Sequence, residues 1–265
     1  MANIRIPKKV ADRLTKQIGV FHKILKDAKR RDVNESNTVT IVTDMLADVF
    51  GFDKYTEVTS EQPIRGTYCD LAVKLDDTIQ YLIEVKAVGL TLKDNHLRQA
   101  VNYGANQGIP WVVLTNGIQW QVCRIKFEKP VTHEQVFEFN FLDLSSRRKS
   151  DHALLFMLCR LGTIKNANKD YHEKVQTVNR FVVAALIQSE PVVSVLRREL
   201  KRLATDAKVS AEEVEALLPD VLKRDVLDGE SAAHAKKQVQ RGQKTRKKAR
   251  STERAPAATR PPSTS

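Results

Sequence analysis

Apolar residues recur three or four apart up to about Phe50 and alternate from Tyr68 onward, so the chain predicts helices first and a sheet after them. Val10, Leu14, Ile18, Phe21 and Leu25 form one stripe along residues 7–31, with Lys and Arg on the other faces, which predicts an amphipathic helix. Asn34 and Ser36 offer caps for a second helix to about Phe50, with Val42, Met45, Leu46 and Val49 inward and Gly51 as its stop. Tyr68–Leu75 alternates and is rich in strand formers, Asp76-Asp77 predicts a turn, and Ile79–Lys86 alternates again. Residues 94–107 predict a helix that Gly108-Ile109-Pro110 breaks. Trp111–Thr115 predicts a short buried strand, and Asn116-Gly117 a hairpin turn into Ile118–Ile125. A further strand is expected at Gln135–Phe139.

From Ser150 the pattern is helical, with expected helices at 151–161, 170–190, 191–205 and 211–224. Val175, Val178, Phe181, Val182 and Leu186 supply one apolar stripe, Pro191 suits a first helical turn, and Ser210 with Glu213 reads as a capping box. Beyond Asp228 only Val239 is a sizeable apolar residue, which predicts a disordered tail. No internal repeat is visible. The expected organisation is a basic N-terminal helix over 1–33, a mixed α/β core over 34–145, a helical appendage over 150–228 and a disordered basic tail over 229–265.

Charge sharpens this picture. The chain of 265 residues carries a net charge of +12. Residues 229–265 hold 10 Lys/Arg against 2 acids and residues 1–33 hold 10 against 3, whereas 34–228 hold 24 against 27. The two ends are basic and the middle is slightly acidic, which makes nucleic acid the first partner to expect. Lys244, Arg246, Lys247, Lys248 and Arg250 are expected to contribute affinity and salt dependence without reading sequence. An anionic membrane is the lesser alternative, because the tail has no Trp, Phe or Leu to insert. No stretch approaches the roughly 20 apolar residues of a spanning helix, and the start lacks the apolar block of a secretory signal. Cys69, Cys123 and Cys159 lie far apart without metal-ligand spacing, so a reducing cytoplasm is the expected location.

The chemistry concentrates in the strand pair. Strand periodicity puts Glu84 and Lys86 on one face with Val85 pointing into the core, and a hairpin turning at Asp76-Asp77 brings Asp70 back beside Glu84. Two carboxylates sharing a site raise one another's pKa unless a cation sits between them. Hard oxygen donors at this density suit Mg²⁺, with a neighbouring lysine to orient water and to stabilise charge growing on a phosphate oxygen. Exposed acid–lysine pairs on sheets are common surface dressing. Here, however, Glu84 interrupts the apolar run Tyr81-Leu82-Ile83 and Val85, where an unpaired charge costs several kcal/mol.

Further residues extend the pattern. Gln99 and Tyr103 lie four apart in Gln99-Ala100-Val101-Asn102-Tyr103 on the following helix, Glu35 starts the helix before the sheet, and Ile64-Arg65-Gly66 leads into the Asp70 strand. In this order the residues resemble the PD-(D/E)xK nuclease superfamily, specifically the N-terminal nuclease domain of type I restriction enzyme R (HsdR-like) subunits, over roughly residues 34–140. The resemblance implies an αβββαβ restriction-endonuclease-like core that cleaves DNA with Mg²⁺, which Mn²⁺ is expected to replace. It implies Asp70, Glu84 and the Val85 carbonyl as metal ligands and Lys86 as the catalytic lysine. Gln99 and Tyr103 match the family's Q-x3-Y motif and would position DNA or the metal-bound water. Glu35 would be the acidic residue of the first core helix. The proline that often precedes the aspartate is Cys69 here.

No G-x4-G-K-[ST] phosphate loop occurs in the sequence, so the motor of a complete translocating subunit is expected to be missing. Trp111, Trp120 and Phe127 are expected in core and hairpin packing, Asp76 and Asp77 in a turn, Cys123 and Cys159 as buried small residues, and His96 as a solvated histidine. Three functions stay open: a Mg²⁺-dependent endonuclease in restriction, defence or mobile-element DNA handling; a nuclease fold kept for binding nucleic acid or docking a motor or specificity subunit; and an RNA-processing factor.

Overall fold

A computed structural model describes residues 5–64, 67–203 and 208–253, with backbone alone for 61–64, 67–68 and 246–253. The chain divides into two compact units, residues 1–172 and 173–265.

The first unit is a six-stranded mixed sheet flanked by helices. Its elements run α1 (Lys8–Arg30), α2 (Glu35–Asp48), β1 (Val58–Ile64), β2 (Thr67–Leu75), β3 (Thr78–Val85), α3 (Asp94–Gln107), β4 (Trp111–Thr115), β5 (Gln119–Lys126), β6 (Thr132–Asn140), α4 (Lys149–Phe156) and α5 (Arg160–Ile164). The spatial order follows the sequence, β1-β2-β3-β4-β5-β6. Every neighbour pair is antiparallel except β3 and β4, which α3 connects as a crossover.

Alternation along the strands feeds two cores. Ile83, Val85, Val113, Trp120 and Val122 meet α1 and α2 on one face. Leu82, Val112, Leu114, Cys123 and Ile125 meet Leu97, Ala100, Val101 and Tyr103 of α3 on the other. Gly104 lets α3 sit close: a Cβ there would fall 2.5 Å from Ile125 Cδ1 and 2.8 Å from the Ile109 carbonyl.

The basic N-terminal helix belongs to this core. Leu14 and Leu25 of α1 are wholly buried, and Arg13 donates from Nε to the Val49 carbonyl (3.0 Å) and from its Nη2 to the Phe50 carbonyl (3.1 Å). Those carbonyls follow the last turn of α2, and the Arg160 N–H also donates to that of Phe50 at 2.9 Å, so the guanidinium helps to satisfy the end of the helix and complements its dipole. Asn34 caps α2 as expected, its Oδ1 accepting from the Asn37 N–H at 3.0 Å.

The appendage expected from residue 150 begins later. Leu155, Phe156, Met157, Leu158 and Cys159 are buried in the first core, and the Tyr81 hydroxyl donates to the Leu158 carbonyl at 3.1 Å. An apolar run of that length has no solvent-facing side and must be covered by the sheet unit itself.

The second unit is helical. The segment α6 (Ala167–Thr177) carries the chain into it, followed by α7 (Arg180–Ile187), α8 (Glu190–Leu203), α9 (Ala211–Val221) and α10 (Glu230–Glu253). The single helix expected over 170–190 is two, because Asn179 Oδ1 accepts from the Phe181 and Val182 N–H groups and starts a new helix. The expected stripe is broken accordingly: Val175, Val178 and Leu186 are exposed and Val182 is buried. The Ser210–Glu213 capping box is present in both directions. Residues 230–253, expected without structure, form α10. Ala232, Ala235 and Val239, three and four apart, pack it against Val182 and Ala185 of α7, a seam of small residues that large-residue periodicity does not register. Residues 254–265 of the expected tail lie outside the described residues. No described helix is long and apolar enough to cross a membrane.

Candidate functional site

The carboxyl end of β3 gathers the charged residues that the sequence singled out. The Asp76-Asp77 turn has both residues at positive φ, 48° and 58°, the geometry that matches the twist of a two-residue hairpin. Leu75 faces Thr78 and Lys74 faces Ile79, but Val73 faces Tyr81 and Leu71 faces Ile83, so Gln80 is an extra residue in β3. This bulge sets the register that aligns Asp70 with Glu84. Without it Asp70 would align with Ile83, and the two carboxylates would stand on opposite faces.

Beyond Leu71 the β2–β3 ladder stops, and Asp70 replaces it: its Oδ2 accepts from the Val85 N–H at 2.7 Å. On the other edge of β3, the Lys86 N–H donates to the Thr115 carbonyl of β4 at 2.8 Å. Lys86 Nζ donates to Glu84 Oε1 at 2.7 Å and stands 3.4 Å from Glu35 Oε1 at the first turn of α2. Val85 is buried in the core below, as strand alternation requires.

Glu84 is 5% exposed, and its Oε2 is buried with no hydrogen-bond partner. With Asp70, Glu35 and Lys86 beside it, the cluster holds three carboxylates and one ammonium, an excess of negative charge. Burial pushes the Glu84 carboxyl above the usual range and Asp70 adds to the rise, against the opposing bond from Lys86. Burial also raises Asp70, against the Val85 N–H and the Lys86 charge. For Lys86, burial favours the neutral amine, but the bond to Glu84 and the surrounding carboxylates outweigh it, so its pKa is raised. The site is short of positive charge.

A divalent ion fits that deficit. The unpartnered Glu84 oxygen, the Asp70 carboxylate and the Val85 carbonyl are hard oxygen donors, and Mg²⁺ tolerates so few protein ligands because it keeps waters. Among the described residues no group of three or more His, Cys, Asp or Glu side chains is placed to hold a metal. A backbone carbonyl would therefore have to join the two carboxylates.

The other expected residues divide. Gln99 is exposed on α3, and Tyr103, one turn further along the same face, is buried in the second core. His96 is half-buried, its Nδ1 accepting from the Lys93 N–H at 3.2 Å, which gives it a helix-capping role. Trp120 is buried and stacks on Phe139, Trp111 is half-buried beneath Arg124, and Phe127 is exposed, not packed in its hairpin. Cys123 and Cys159 are buried, as expected. Arg65 and Gly66 lie outside the described residues, as do the side chains of Arg246, Lys247, Lys248 and Arg250; Lys244 is exposed on α10. Cys69 was missed as a neighbour: its Sγ donates to the Ile83 carbonyl at 3.2 Å, and burial, with Glu84 and Asp70 nearby, pushes the thiol up to about 12. It is an inert support.

Residues 44–144 match the family model of the type I restriction enzyme R protein N terminus. The match spans Asp70, Glu84, Lys86, Gln99 and Tyr103 and begins after Glu35. No curated protein and no solved structure matches the chain.

Proposed function

We propose, from the match of residues 44–144 to the model of the type I restriction enzyme R protein N terminus, that this protein is a Mg²⁺-dependent endodeoxyribonuclease with a PD-(D/E)xK site, acting in restriction or related DNA handling. The observation that carries the reading is the buried, unpartnered Glu84 oxygen within an anionic cluster beside Lys86. Asp70, Glu84 and the Val85 carbonyl would hold the ion. When bound, Mg²⁺ supplies positive charge that polarises the scissile phosphate and lowers the cost of forming the attacking anion.

The chain's own residues do the rest. The Val85 N–H fixes Asp70, so the carboxylate needs no reorganisation when DNA arrives. Lys86 is protonated at neutral pH, sits at the mouth of the site, and can orient water and meet the charge growing on the phosphate. Glu35 holds the Lys86 ammonium from the other side. Gln99, exposed on α3, reaches toward substrate, whereas Tyr103 seats the helix that carries it. DNA is the substrate and a motor or specificity subunit the partner.

A binding-only reading has one observation in its favour, the lack of a third metal-ligating side chain among the described residues. Incubation with supercoiled plasmid and Mg²⁺ separates the two. Wild-type protein is expected to nick the plasmid, with Lys86→Ala and Asp70→Ala slower by about a hundredfold or more. Equal nicking by all three would assign the cleavage to a contaminant and remove the enzyme reading. No nicking, with binding that weakens steeply as salt rises, would select the binding-only reading.

A further inference from the structure

The helix α10 is anchored on one side only. Ala232, Ala235 and Val239 are buried against α7, which fixes the direction of every other position on it. At 3.6 residues per turn, His234, Lys237, Arg241 and Lys244 fall on the face turned away from that seam. All four are exposed, spaced three, four and three apart in a straight row. The next position in the row, four further along the helix, is Lys248. Between Glu230 and Glu253 there are eight Lys/Arg and no acid, so the two acids of the helix stand at its ends and leave the row with a large excess of positive charge.

We propose that this row is a binding surface for the sugar-phosphate backbone of duplex DNA. From His234 to Lys244 the row is about 15 Å long, at 1.5 Å of rise per residue. A DNA duplex carries one negative charge per roughly 1.7 Å of axis, so several phosphates face a row of that length. A rigid helix holds its charges in line, which suits a stiff partner. Single strands are gripped by aromatic stacking as well as charge, and α10 contains no Phe, Tyr or Trp, the imidazole of His234 being its one ring. A membrane surface needs apolar side chains to insert, and those of α10 are already spent on α7. The choice of DNA over RNA rests on the nuclease reading. Contacts of this kind fix position and affinity and read no sequence. The grip therefore starts at His234, upstream of the Lys244–Arg250 cluster that the sequence marks.

The test uses full-length protein carrying Lys86→Ala, so binding is measured without cutting, and its outcome is independent of whether the wild type cleaves. Anisotropy of a labelled 20-base-pair DNA duplex is titrated over a range of salt. One variant adds K237Q/R241Q/K244Q; a second adds K165Q/K208Q/K223Q, with the same change in net charge at exposed positions off α10. Glutamine keeps helix propensity, and circular dichroism checks that helix content is unchanged. The first variant is expected to bind about tenfold or more weakly and to lower the slope of log K against log salt by about 2.7, three phosphate contacts at 0.9 each. The second is expected to stay within about threefold. Equal losses in both would reduce the effect to net charge and overturn the proposal, as would no loss in the first. Tighter binding of a single strand or of an RNA duplex of the same sequence would overturn the assignment to duplex DNA.

Discussion

Glu84 keeps an oxygen that nothing satisfies, in a position where the fold could have placed a leucine. Ionising it in the folded state is harder than in the unfolded chain, so the charge costs stability. The sign follows from the raised pKa. The cost is absent at low pH, where the group is protonated in both states, and it grows as pH rises from the ordinary value near 4.5 through the raised folded value. Glu84→Gln keeps an acceptor for Lys86 and removes the charge. Without divalent ions it is expected to raise stability at neutral pH by about 1 kcal/mol, a Tm gain of about 2–4 °C, and to gain nothing at pH 4. Mg²⁺ should raise the Tm of the wild type and leave that of the variant unchanged, because an ion that binds only the folded site stabilises it. Calorimetry with and without Mg²⁺ measures both; a variant less stable than wild type at neutral pH would contradict the account. That Glu84 and Lys86 share a face above a buried Val85 was legible in the sequence, since alternation alone decides it. The Val85 N–H bond to Asp70 was not, because it exists only where the β2–β3 ladder stops.

The bulge at Gln80 shows where pattern reading runs out. A two-residue turn at Asp76-Asp77 with an unbroken ladder would have put Asp70 opposite Ile83, on the wrong face. The extra residue restores the pairing, and no local composition marks it. The bulge is a backbone feature, so Gln80→Ala is expected to leave Mg²⁺-dependent cleavage within about threefold of wild type, whereas deleting Gln80 should abolish it. A plasmid assay on both, with near-ultraviolet circular dichroism to follow packing, checks this. Full activity after the deletion would show that the register does not depend on the bulge. Strands β2 to β6 were legible because each alternates or carries a turn signal, and β1 was not. Its segment Val58-Thr59-Ser60-Glu61-Gln62-Pro63-Ile64 is mostly polar and contains a proline, which an edge strand tolerates and which hides it from an apolar-pattern search.

The division of the chain was misplaced by some twenty residues, from near 150 to the step between His172 and Glu173. Helical periodicity after residue 150 read as a new domain, but period says what an element is and not which core it fills. The run Leu155-Phe156-Met157-Leu158-Cys159 fills the first core, and Tyr171 packs on Phe137 at 5.8 Å between ring centroids. Two truncations therefore differ sharply. A chain ending at Val178 keeps α6 whole and loses only the cap Asn179 and the helices from α7 onward. It is expected to unfold in one cooperative transition and to keep Mg²⁺-dependent cleavage at high enzyme concentration, while duplex binding weakens with the loss of α10. A chain ending at Ser150 strips six buried apolar residues from the first core, Leu155, Phe156, Met157, Leu158, Cys159 and Ala167. At about 1.5–3 kcal/mol for each fully buried Leu, Phe or Met side chain, that loss is comparable with the whole stability of an ordinary domain, so this chain is expected to aggregate or stay unfolded. Scanning calorimetry and gel filtration of the two would decide. A well-folded chain ending at Ser150 would return the boundary to the place that periodicity suggested.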